Sequence, residues 1–366
     1  MGKRHHTGDV AGGEAKRPRQ LAAAGHKNLY LALDDWNNGY SIHKHVDPVA
    51  GSTTAAEPLP DPPLLRLEAP RGCHDVLFGA VGTKILALWQ PRNKPTRAAA
   101  FDTRTGGLLA DGPEGLNTLP AAAPAPGADR AYCSYAAAEK ADARRWRWTR
   151  ACSSPLRLPF VADDGAPAPW GPAEIAAYAV HPDGRTVFVS AFGTFYRYFG
   201  TFSLDTAASR PEWARHGEWL LPFRGQGHYD STLDAWVGLH SPGYMCACDV
   251  PPAGAGAGER PRPEWELVKA DGLFVTDPED SVLRQSFMTL AGMGDGEFCI
   301  LEPHTTDGGD VTRDMDTGDE YVLHVTKFRL QRSRRRPLRV SSRHIARSAY
   351  RLHKYDRNFA PRAFCM

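Results

Sequence analysis

The chain has 366 residues and carries 44 Lys and Arg against 42 Asp and Glu, so its formal net charge is only +2. Hydrophobic residues make up 42% and charged residues 23%, which is near the norm for soluble globular proteins and allows a sizeable core. The 35 Gly and 30 Pro argue against a helical protein, and the absence of an apolar run of about 18 residues argues against a membrane span.

Residues 1–27 are small, polar and basic without hydrophobic periodicity, which predicts a disordered arm. Two basic clusters lie on this arm, formed by Lys3, Arg4, Lys16, Arg17 and Arg19. An import receptor binds two such clusters in an acidic groove, so one interpretation is a nuclear import signal and the other is a solubilising tail. The arm has no apolar segment typical of a secretory signal, and the 7 Cys are an odd number, so we expect reduced thiols in the nucleus or the cytoplasm.

The first ordered element is predicted directly after this arm. An apolar run at 28–33 ends at Asp34 and Asp35, and an Asn-Asn-Gly turn then leads into a second run at 40–43. Asn and Gly accept the positive φ of a tight turn, so the segment predicts a hairpin. Adjacent residues on a strand point to opposite faces, so the two carboxylates are expected to end the strand and accept turn amides rather than to act as an acid–base pair. A linker rich in Pro, Thr and Ala follows at 49–63.

The rest of the chain contains groups of short apolar runs joined by turn residues, each typical of an antiparallel sheet. We predict strand groups at 64–116, 173–223, 228–274 and 286–330. Residues 117–159 are a linker followed by weaker strand signals. A closing strand at 348–352 is expected to pair with the region of Leu29, because an open sheet edge invites unwanted pairing.

A repeated phrase indicates a repeat architecture. The tetrapeptide Arg-Pro-Glu-Trp ends at Trp213 and again at Trp265, 52 residues later. Apolar runs ending in Asp precede both copies, at Asp205 and Asp249, and a similar run ends at Asp102. A period of about 50 residues built from short strands is typical of kelch-like propeller blades.

The apolar-Asp-Thr phrase followed by Trp resembles the blades of kelch-type and F-box-associated propellers. The resemblance implies that each Asp lies at a strand end and that tryptophans pack at the seams between blades, here Trp213, Trp236 and Trp265. The opening segment 28–42 is similar to a large, grass-expanded set of uncharacterised plant proteins. Kelch blades carry a Gly pair at the end of the second strand, whereas Gly106 and Gly107 follow the Asp-Thr phrase here, and no F-box-like segment precedes the repeats.

These patterns together predict an all-β chain. We expect a β-propeller of about six or seven four-stranded blades over residues 28–352, preceded by the disordered arm and followed by a tail at 353–366.

Few residues have the spacing that is typical of metal-binding or catalytic sites. Cys246 and Cys248 lack the two-residue gap of zinc knuckles, so packing is favoured. The acidic stretch 307–319 lacks the Gly and Glu positions of a calcium-binding hand loop and is interpreted as solvated, with adventitious cation binding as the alternative. Ser190 and Ser203 lie inside predicted strands without a nucleophile elbow. We therefore expect no catalytic residue, no cofactor and no resident metal.

The segment from Lys327 to Arg362 is strongly basic and contains a single acid, Asp356. A candidate anion patch within it comprises Arg332, Arg334, Arg335, Arg336 and Arg339. One interpretation is that these side chains neutralise the phosphates of a nucleic acid or another anion. The other is a solvated outer strand whose Arg residues pair with acidic neighbours.

The expected function is a non-enzymatic scaffold that binds an unidentified protein partner through loops on one propeller face. Exposed aromatic residues are candidates for this contact, although the same residues also fit a buried strand: Phe192, Phe195, Tyr196, Tyr198 and Phe199. The alternatives are an enzyme with a site at the central channel, and an anion or nucleic-acid binder acting through the Arg-rich C-terminal region. We expect a monomer without membrane contact.

Overall fold

The computed structural model consists of β-strands, which confirms the all-β prediction. It describes residues 28–45, 56–59, 61–69, 74–90, 97–109, 135–136, 149–150, 174–192, 198–210, 212–240, 244–253, 260–268, 272–275, 287–305, 318–333, 336–341, 344–356 and 359–366. The basic arm, the acidic stretch up to residue 317, and Arg334 and Arg335 lie outside these residues.

The described residues form 24 strands and no α-helix. The strands are β1 Leu29–Trp36, β2 Gly39–Lys44, β3 Glu57–Pro58, β4 Leu65–Glu68, β5 His74–Val81, β6 Lys84–Gln90, β7 Arg97–Asp102, β8 Leu108–Leu109, β9 Tyr135–Ala136, β10 Thr149–Arg150, β11 Glu174–Val180, β12 Thr186–Phe192, β13 Tyr198–Asp205, β14 Trp213–Gly217, β15 Arg224–Asp230, β16 Ala235–His240, β17 Tyr244–Cys248, β18 Trp265–Val268, β19 Thr289–Gly294, β20 Glu297–Thr305, β21 Glu320–Ser333, β22 Arg336–Val340, β23 Ala346–His353 and β24 Arg362–Cys365.

Most of these strands belong to five four-stranded antiparallel groups. We name them sheet I (β24-β1-β2-β4), sheet II (β5-β6-β7-β8), sheet III (β11-β12-β13-β14), sheet IV (β15-β16-β17-β18) and sheet V (β19-β20-β21-β23). The first strands of sheets III and IV, β11 and β15, also pair with each other in parallel. Outside these groups, β3 pairs with the edge of β23, β22 pairs with β21, and β9 pairs with β10. None of the described sheets closes on itself.

The side chains of each strand alternate between two faces, and in three sheets both faces are buried against different neighbours. In sheet I, Leu31 and Leu33 pack against sheet V, whereas Tyr30 and Ile42 pack against sheet II. Sheet V contacts sheet I through one face and sheet IV through the other. Sheet IV contacts sheet III through the face that carries Trp236. The five sheets therefore pack in the order II–I–V–IV–III.

Turn chemistry explains where many strands end. β7 and β13 end at Asp102 and Asp205, and Asp249 directly follows β17. Asp102 and Asp205 each accept a hydrogen bond from the backbone N–H two residues later, at 2.9 and 3.0 Å. Asp230, at the end of β15, does the same and also accepts from the amide of Gly296 in sheet V at 2.7 Å. These carboxylates redirect the chain because a side chain that bonds local amides mimics a backbone turn.

The two ends of the described chain meet in sheet I. β24 pairs antiparallel with β1, with Phe364 opposite Tyr30, and the backbone of Asn28 exchanges hydrogen bonds with that of Met366 at 2.7 and 3.0 Å. The expected partner of β1 at 348–352 instead belongs to β23 and pairs with β21. A local pattern identified 348–352 as a strand, but it carries no information about which sheet receives it. Residues 353–366, expected as a tail, thus include a strand of sheet I.

Candidate functional site

Trp236 lies at a contact between two sheets. Its side chain on β16 is fully buried, and its indole Nε1 donates a hydrogen bond to the carbonyl oxygen of Val180 in sheet III at 3.0 Å. Its ring lies 5.3 Å from that of Phe188, also in sheet III, in an edge-to-face arrangement. A tryptophan in this position joins two sheets by packing and by a hydrogen bond at once.

Trp213 and Trp265 lie in different surroundings from Trp236. Both begin the fourth strand of a sheet, β14 and β18, as their repeated sequence phrase suggests. Trp213 is partly buried, whereas Trp265 is 36% exposed on the outermost strand of sheet IV. The three residues therefore do not form one class of seam contact.

Trp265 belongs to an exposed apolar surface on sheet IV. We define the apolar edge as Tyr244, Trp265 and Leu267, which are 41%, 36% and 45% exposed. Leu267 of β18 lies opposite Cys246 of β17, so their side chains share one face of sheet IV. Alternation along each strand places Tyr244 and Trp265 on the same face. Sheet III covers this face only over the inner strands, where Cys246 and Cys248 are buried. The outer strand therefore presents large apolar side chains to solvent.

Polar groups border the apolar edge. The guanidinium carbon of Arg262 lies 5.4 Å from the centroid of the Trp265 ring, a cation–π distance, and the ring of His240 lies 5.1 Å from it. β18 is also the last strand of the eight-stranded ladder formed by sheets III and IV, so its backbone pairs with no further strand among the described residues. β22 lies beside it, and the amide of Leu338 on β22 donates to the Glu266 carboxylate at 3.3 Å. An apolar patch beside an open strand edge is a typical surface for a protein partner.

Several side chains of the basic C-terminal region are held in ion pairs. Arg332 Nη2 lies 3.2 Å from Glu266 of β18. Arg329 contacts Glu297 at 2.6 Å, and Arg351 contacts Glu320 at 3.7 Å. Within the candidate anion patch, Arg339 is exposed, and only the backbone of Arg336 is described. The described pairs agree with the interpretation that Arg residues of this segment pair with acidic neighbours, and the pair of Arg332 with Glu266 ties sheet V to sheet IV.

Ser190 and Ser203 lie in a buried polar ladder on sheet III. Ser190 Oγ and Thr201 Oγ1 are 2.8 Å apart, and Ser190 Oγ also accepts from the amide of Leu221 at 2.8 Å. Ser203 Oγ lies 2.8 Å from His216 Nε2. Burial and the nearby charge of Arg260 lower the pKa of His216 to about 4, so its ring is neutral at pH 7. His216 Nδ1 has no partner in the described part of the chain, so this Ser–His pair lacks the orienting third group of a nucleophilic triad.

Cys246 and Cys248 are buried free thiols. Burial raises the pKa of both, to about 12 for Cys248, so neither forms the thiolate that nucleophilic chemistry requires near pH 7. Among the described residues, no group of three or more His, Cys, Asp and Glu has the geometry of a metal site. The described chain also contains no helix with the length and apolarity needed to cross a membrane.

A second polar cluster lies between sheets IV and V. Glu302 is buried on β20, accepts from the amide of Val275 at 3.0 Å and lies 3.2 Å from His304 Nε2. The rings of His304 and His324 are 5.0 Å apart. Burial is the main cause that lowers the pKa of His324, and the nearby charge of His304 lowers it further. Arg347 donates hydrogen bonds to two carbonyl oxygens of the 272–275 segment. These contacts hold that segment against sheet V.

A buried ion pair that local sequence patterns did not indicate joins β1 to the segment between β23 and β24. Lys354 Nζ lies 3.2 Å from Asp34 Oδ2, and each residue is 1% exposed. The ammonium also donates to the carbonyl oxygen of Phe359 at 2.7 Å. The same Asp34 oxygen accepts from the amides of Tyr355 and Asp356 at 3.3 and 2.9 Å. Asp34 thus anchors the segment that connects β23 to β24.

A protein-family model matches residues 26–348 of this chain. The chain belongs to the family described as Protein of unknown function (DUF1668). Neither the curated proteins nor the solved structures give a match. Membership of DUF1668 agrees with the expected resemblance to an uncharacterised family, and the kelch and F-box-associated features remain predictions. The DUF1668 match ends before Lys354 and β24, although both contact β1 within it.

The remaining sequence candidates are only partly described. Phe192 and Phe199 are half-buried on β12 and β13, and the backbone of Tyr198 is in β13. Phe195 and Tyr196 lie outside the described residues. The exposed aromatic surface is therefore found on sheet IV. Its sequence signal was the polar-to-apolar alternation of β17 and β18, which predicts two faces but not which face is covered.

Proposed function

We propose that the five sheets are blades of a β-propeller. The support is the packing order II–I–V–IV–III. A propeller blade lies between two neighbouring blades and buries one face against each of them, whereas a sheet of a two-layer sandwich buries only one of its faces. The strands at one edge of each sheet also lie beside one another. β24 of sheet I lies next to β5 of sheet II and β19 of sheet V, and β15 of sheet IV lies next to β19 and to β11 of sheet III, as expected around a central axis.

The two terminal sheets of this series support a closed ring. On sheet III, Val189, Phe202 and Leu204 are fully buried although they point away from sheet IV. On sheet II, Ala98 and Leu86 are buried on the face opposite to Ile85, which packs against sheet I. Both outer faces are therefore covered, as expected if a further sheet lies between II and III and brings the number of blades to about six.

A crystal structure of the full chain tests the propeller. We expect a ring of radially arranged sheets in which the first strands line one axis. A structure in which sheets II and III end an open stack, or in which the sheets form two layers, would contradict the proposal.

We propose further that the chain is a protein-interaction scaffold and that the apolar edge of sheet IV is its contact surface. The observation that carries this proposal is the exposure of Trp265 and Leu267 on the edge strand β18, together with Tyr244 on the same face of the neighbouring strand β17. Buried aromatic side chains dominate the binding energy of protein interfaces, and Trp and Tyr are the residue types most often involved. Loops and edges are free for this role because the sheet faces are occupied by packing.

The partner that fits this surface is an extended segment that carries an apolar side chain at every second position. The backbone of β18 offers hydrogen bonds to an added strand, and the apolar edge offers contacts to every second side chain. Arg262 on the segment before β18 and Arg339 on the adjacent β22 are exposed, while Arg332 neutralises Glu266. Two exposed acids lie beside these cations, Glu264 and Asp249, whose backbones are joined by a hydrogen bond of 2.9 Å. The local charge is therefore mixed, and the apolar side chains carry the recognition.

Replacing Trp265 and Leu267 by Ser should weaken binding of such a segment at least tenfold, because one lost aromatic anchor costs about 2 kcal/mol or more. The measurement is fluorescence polarisation with peptides selected by the full chain from a random phage-displayed library. Leu108→Ser is the matched control, since Leu108 is 53% exposed on sheet II and should leave affinity unchanged. Equal affinity of all three proteins would refute the proposed surface, and so would a dimer of the native chain that dissociates on the double substitution.

The basic arm completes this proposal. Lys3, Arg4, Lys16, Arg17 and Arg19 would direct the scaffold to the nucleus, and a chain without them would remain in the cytoplasm. Localisation of a fluorescent fusion with and without residues 1–27 tests this assignment independently of the partner.

A further inference from the structure

Asp34, Asp35 and Tyr321 each have one buried side-chain oxygen without a hydrogen-bond partner among the described residues. The register of β1 shifts between Leu33 and Trp36, so the strict alternation that would place the two carboxylates on opposite faces is interrupted there. Asp34 uses Oδ2 for the contacts with Lys354 and two amides, but its Oδ1 is buried without a hydrogen-bond partner in the described part of the chain. Asp35 places Oδ2 at 3.0 Å from His43 Nε2, and its Oδ1 is likewise buried and unpartnered among the described residues. Buried polar atoms in native proteins nearly always have a partner, so these two oxygens require one.

Tyr321 points to the same place from sheet V. Its side chain is 0% exposed and packs in the cluster formed with Leu31 and Leu33 of β1, and its hydroxyl has no partner among the described residues. Burial, with the charges of Asp34 and Asp35 adding to it, raises the pKa of Tyr321 well above its usual value. The hydroxyl therefore keeps its proton and remains a donor. Lys354 Nζ lies 3.2 Å from Asp34 Oδ2 and 5.8 Å from the centroid of the Tyr321 ring, which places Tyr321 beside Asp34.

The hydrogen-bond capacities of these three oxygens define which donors and acceptors a bound molecule must supply. Ionised carboxylate oxygens only accept, so Asp34 Oδ1 and Asp35 Oδ1 each need a donor. The Tyr321 hydroxyl carries one hydrogen and reaches neither oxygen directly. A molecule that donates two hydrogen bonds and accepts one satisfies all three atoms, and water has this capacity. Buried waters typically make about three hydrogen bonds to such groups.

We propose that Asp34, Asp35 and Tyr321 form a binding site for one buried water molecule that links β1 of sheet I to β21 of sheet V. The water donates to Asp34 Oδ1 and Asp35 Oδ1 and accepts from the Tyr321 hydroxyl. Ser41 Oγ, on β2 opposite Leu33 of the same cluster, and Trp36 Nε1 are two further buried donors without a partner in the described part of the chain.

The chemistry of the site favours water over a metal ion. Calcium takes six to eight oxygen ligands, and magnesium requires an octahedral set of about six. The site offers two carboxylate oxygens, a phenol and at most one further hydroxyl. The ammonium of Lys354 already lies beside Asp34 and supplies positive charge there. A neutral donor is therefore the better complement to these atoms.

A crystal structure of the full chain at about atomic resolution tests this inference, because single internal waters are visible there. We expect one density peak within hydrogen-bond distance, about 2.6–3.2 Å, of the three named oxygens. A direct hydrogen bond from Tyr321 to either carboxylate, or empty density, would overturn the proposal. Crystals soaked in thallium(I) distinguish the ligands, since an anomalous peak at this position would identify a cation and refute water.

Two variants sharpen the test. Tyr321→Phe removes the donor that the water accepts from, so the peak should disappear or lose most of its occupancy. Tyr40→Phe is the matched control, because the Tyr40 hydroxyl donates directly to Asp356 at 2.5 Å and does not need the water. A peak that persists unchanged in Tyr321→Phe would remove Tyr321 from the site. If Tyr321→Phe does not crystallise, the native structure alone still decides between water, cation and direct contact.

Discussion

Removal of residues 362–366 is expected to abolish cooperative folding of the chain. The deletion takes away β24, which forms four residue pairs with β1, and it removes Phe364 and Met366 from the cluster shared by sheets I and II. Each lost hydrogen bond costs about 1 kcal/mol and the loss of a packed Phe about 2–3 kcal/mol. The sum is comparable to the whole stability of a typical domain, about 5–15 kcal/mol.

The deletion also changes the surface of what remains. β1 becomes an open edge strand made almost entirely of buried side chains, which favours aggregation through strand pairing. Thermal unfolding followed by circular dichroism, together with size-exclusion chromatography, measures both effects. A synthetic peptide of residues 361–366 added to the truncated chain is the control, because it should restore the native elution volume by reoccupying the edge of β1. An unchanged melting temperature after the deletion would show that β24 does not hold the chain ends together.

Local sequence patterns were sufficient to identify many strands. The strand group predicted at 173–223 contains β11, β12, β13 and β14, because alternating apolar residues flanked by turn residues are a signal that extends over only a few positions. The Asp residues at strand ends were also anticipated, since their side chains bond amides only two residues away.

Long-range pairing was not accessible in the same way. β24 is four residues long and pairs with a strand at the opposite end of the chain, so no local periodicity indicates its partner. The apolar edge was missed for a related reason, because alternation shows that a strand has two faces and only the order of the sheets decides which one stays exposed. The buried Lys354 contradicts the general tendency of Lys to lie at the surface, and its partner Asp34 is 320 positions away.

Lys354→Met is expected to lower the free energy of unfolding by about 3–5 kcal/mol, because removing one partner leaves the other as an uncompensated buried charge. Asp34 keeps its two amide donors but loses the ammonium, and Met fills a similar volume against the rings of Phe287 and Tyr321. The measurement is chemical denaturation of the full chain at neutral pH. Arg185→Met is the control, since Arg185 pairs with Asp205 at 3.2 Å at the surface, where such pairs contribute at most about 1 kcal/mol.

The pH dependence separates this electrostatic explanation from a simple packing defect. Burial raises the pKa of Asp34 even in the native chain, and Lys354 opposes that rise. Without Lys354 the pKa of folded Asp34 rises further above the value of the unfolded chain, so the folded variant binds a proton that the unfolded variant does not. Its stability relative to the native chain should therefore recover as the pH falls toward the usual titration range of Asp, and it should be lowest at neutral and higher pH. Asp34→Asn in the Lys354→Met background should recover part of the loss at neutral pH for the same reason. A loss that is independent of pH and unchanged by Asp34→Asn would mean that Lys354 acts through its packing alone.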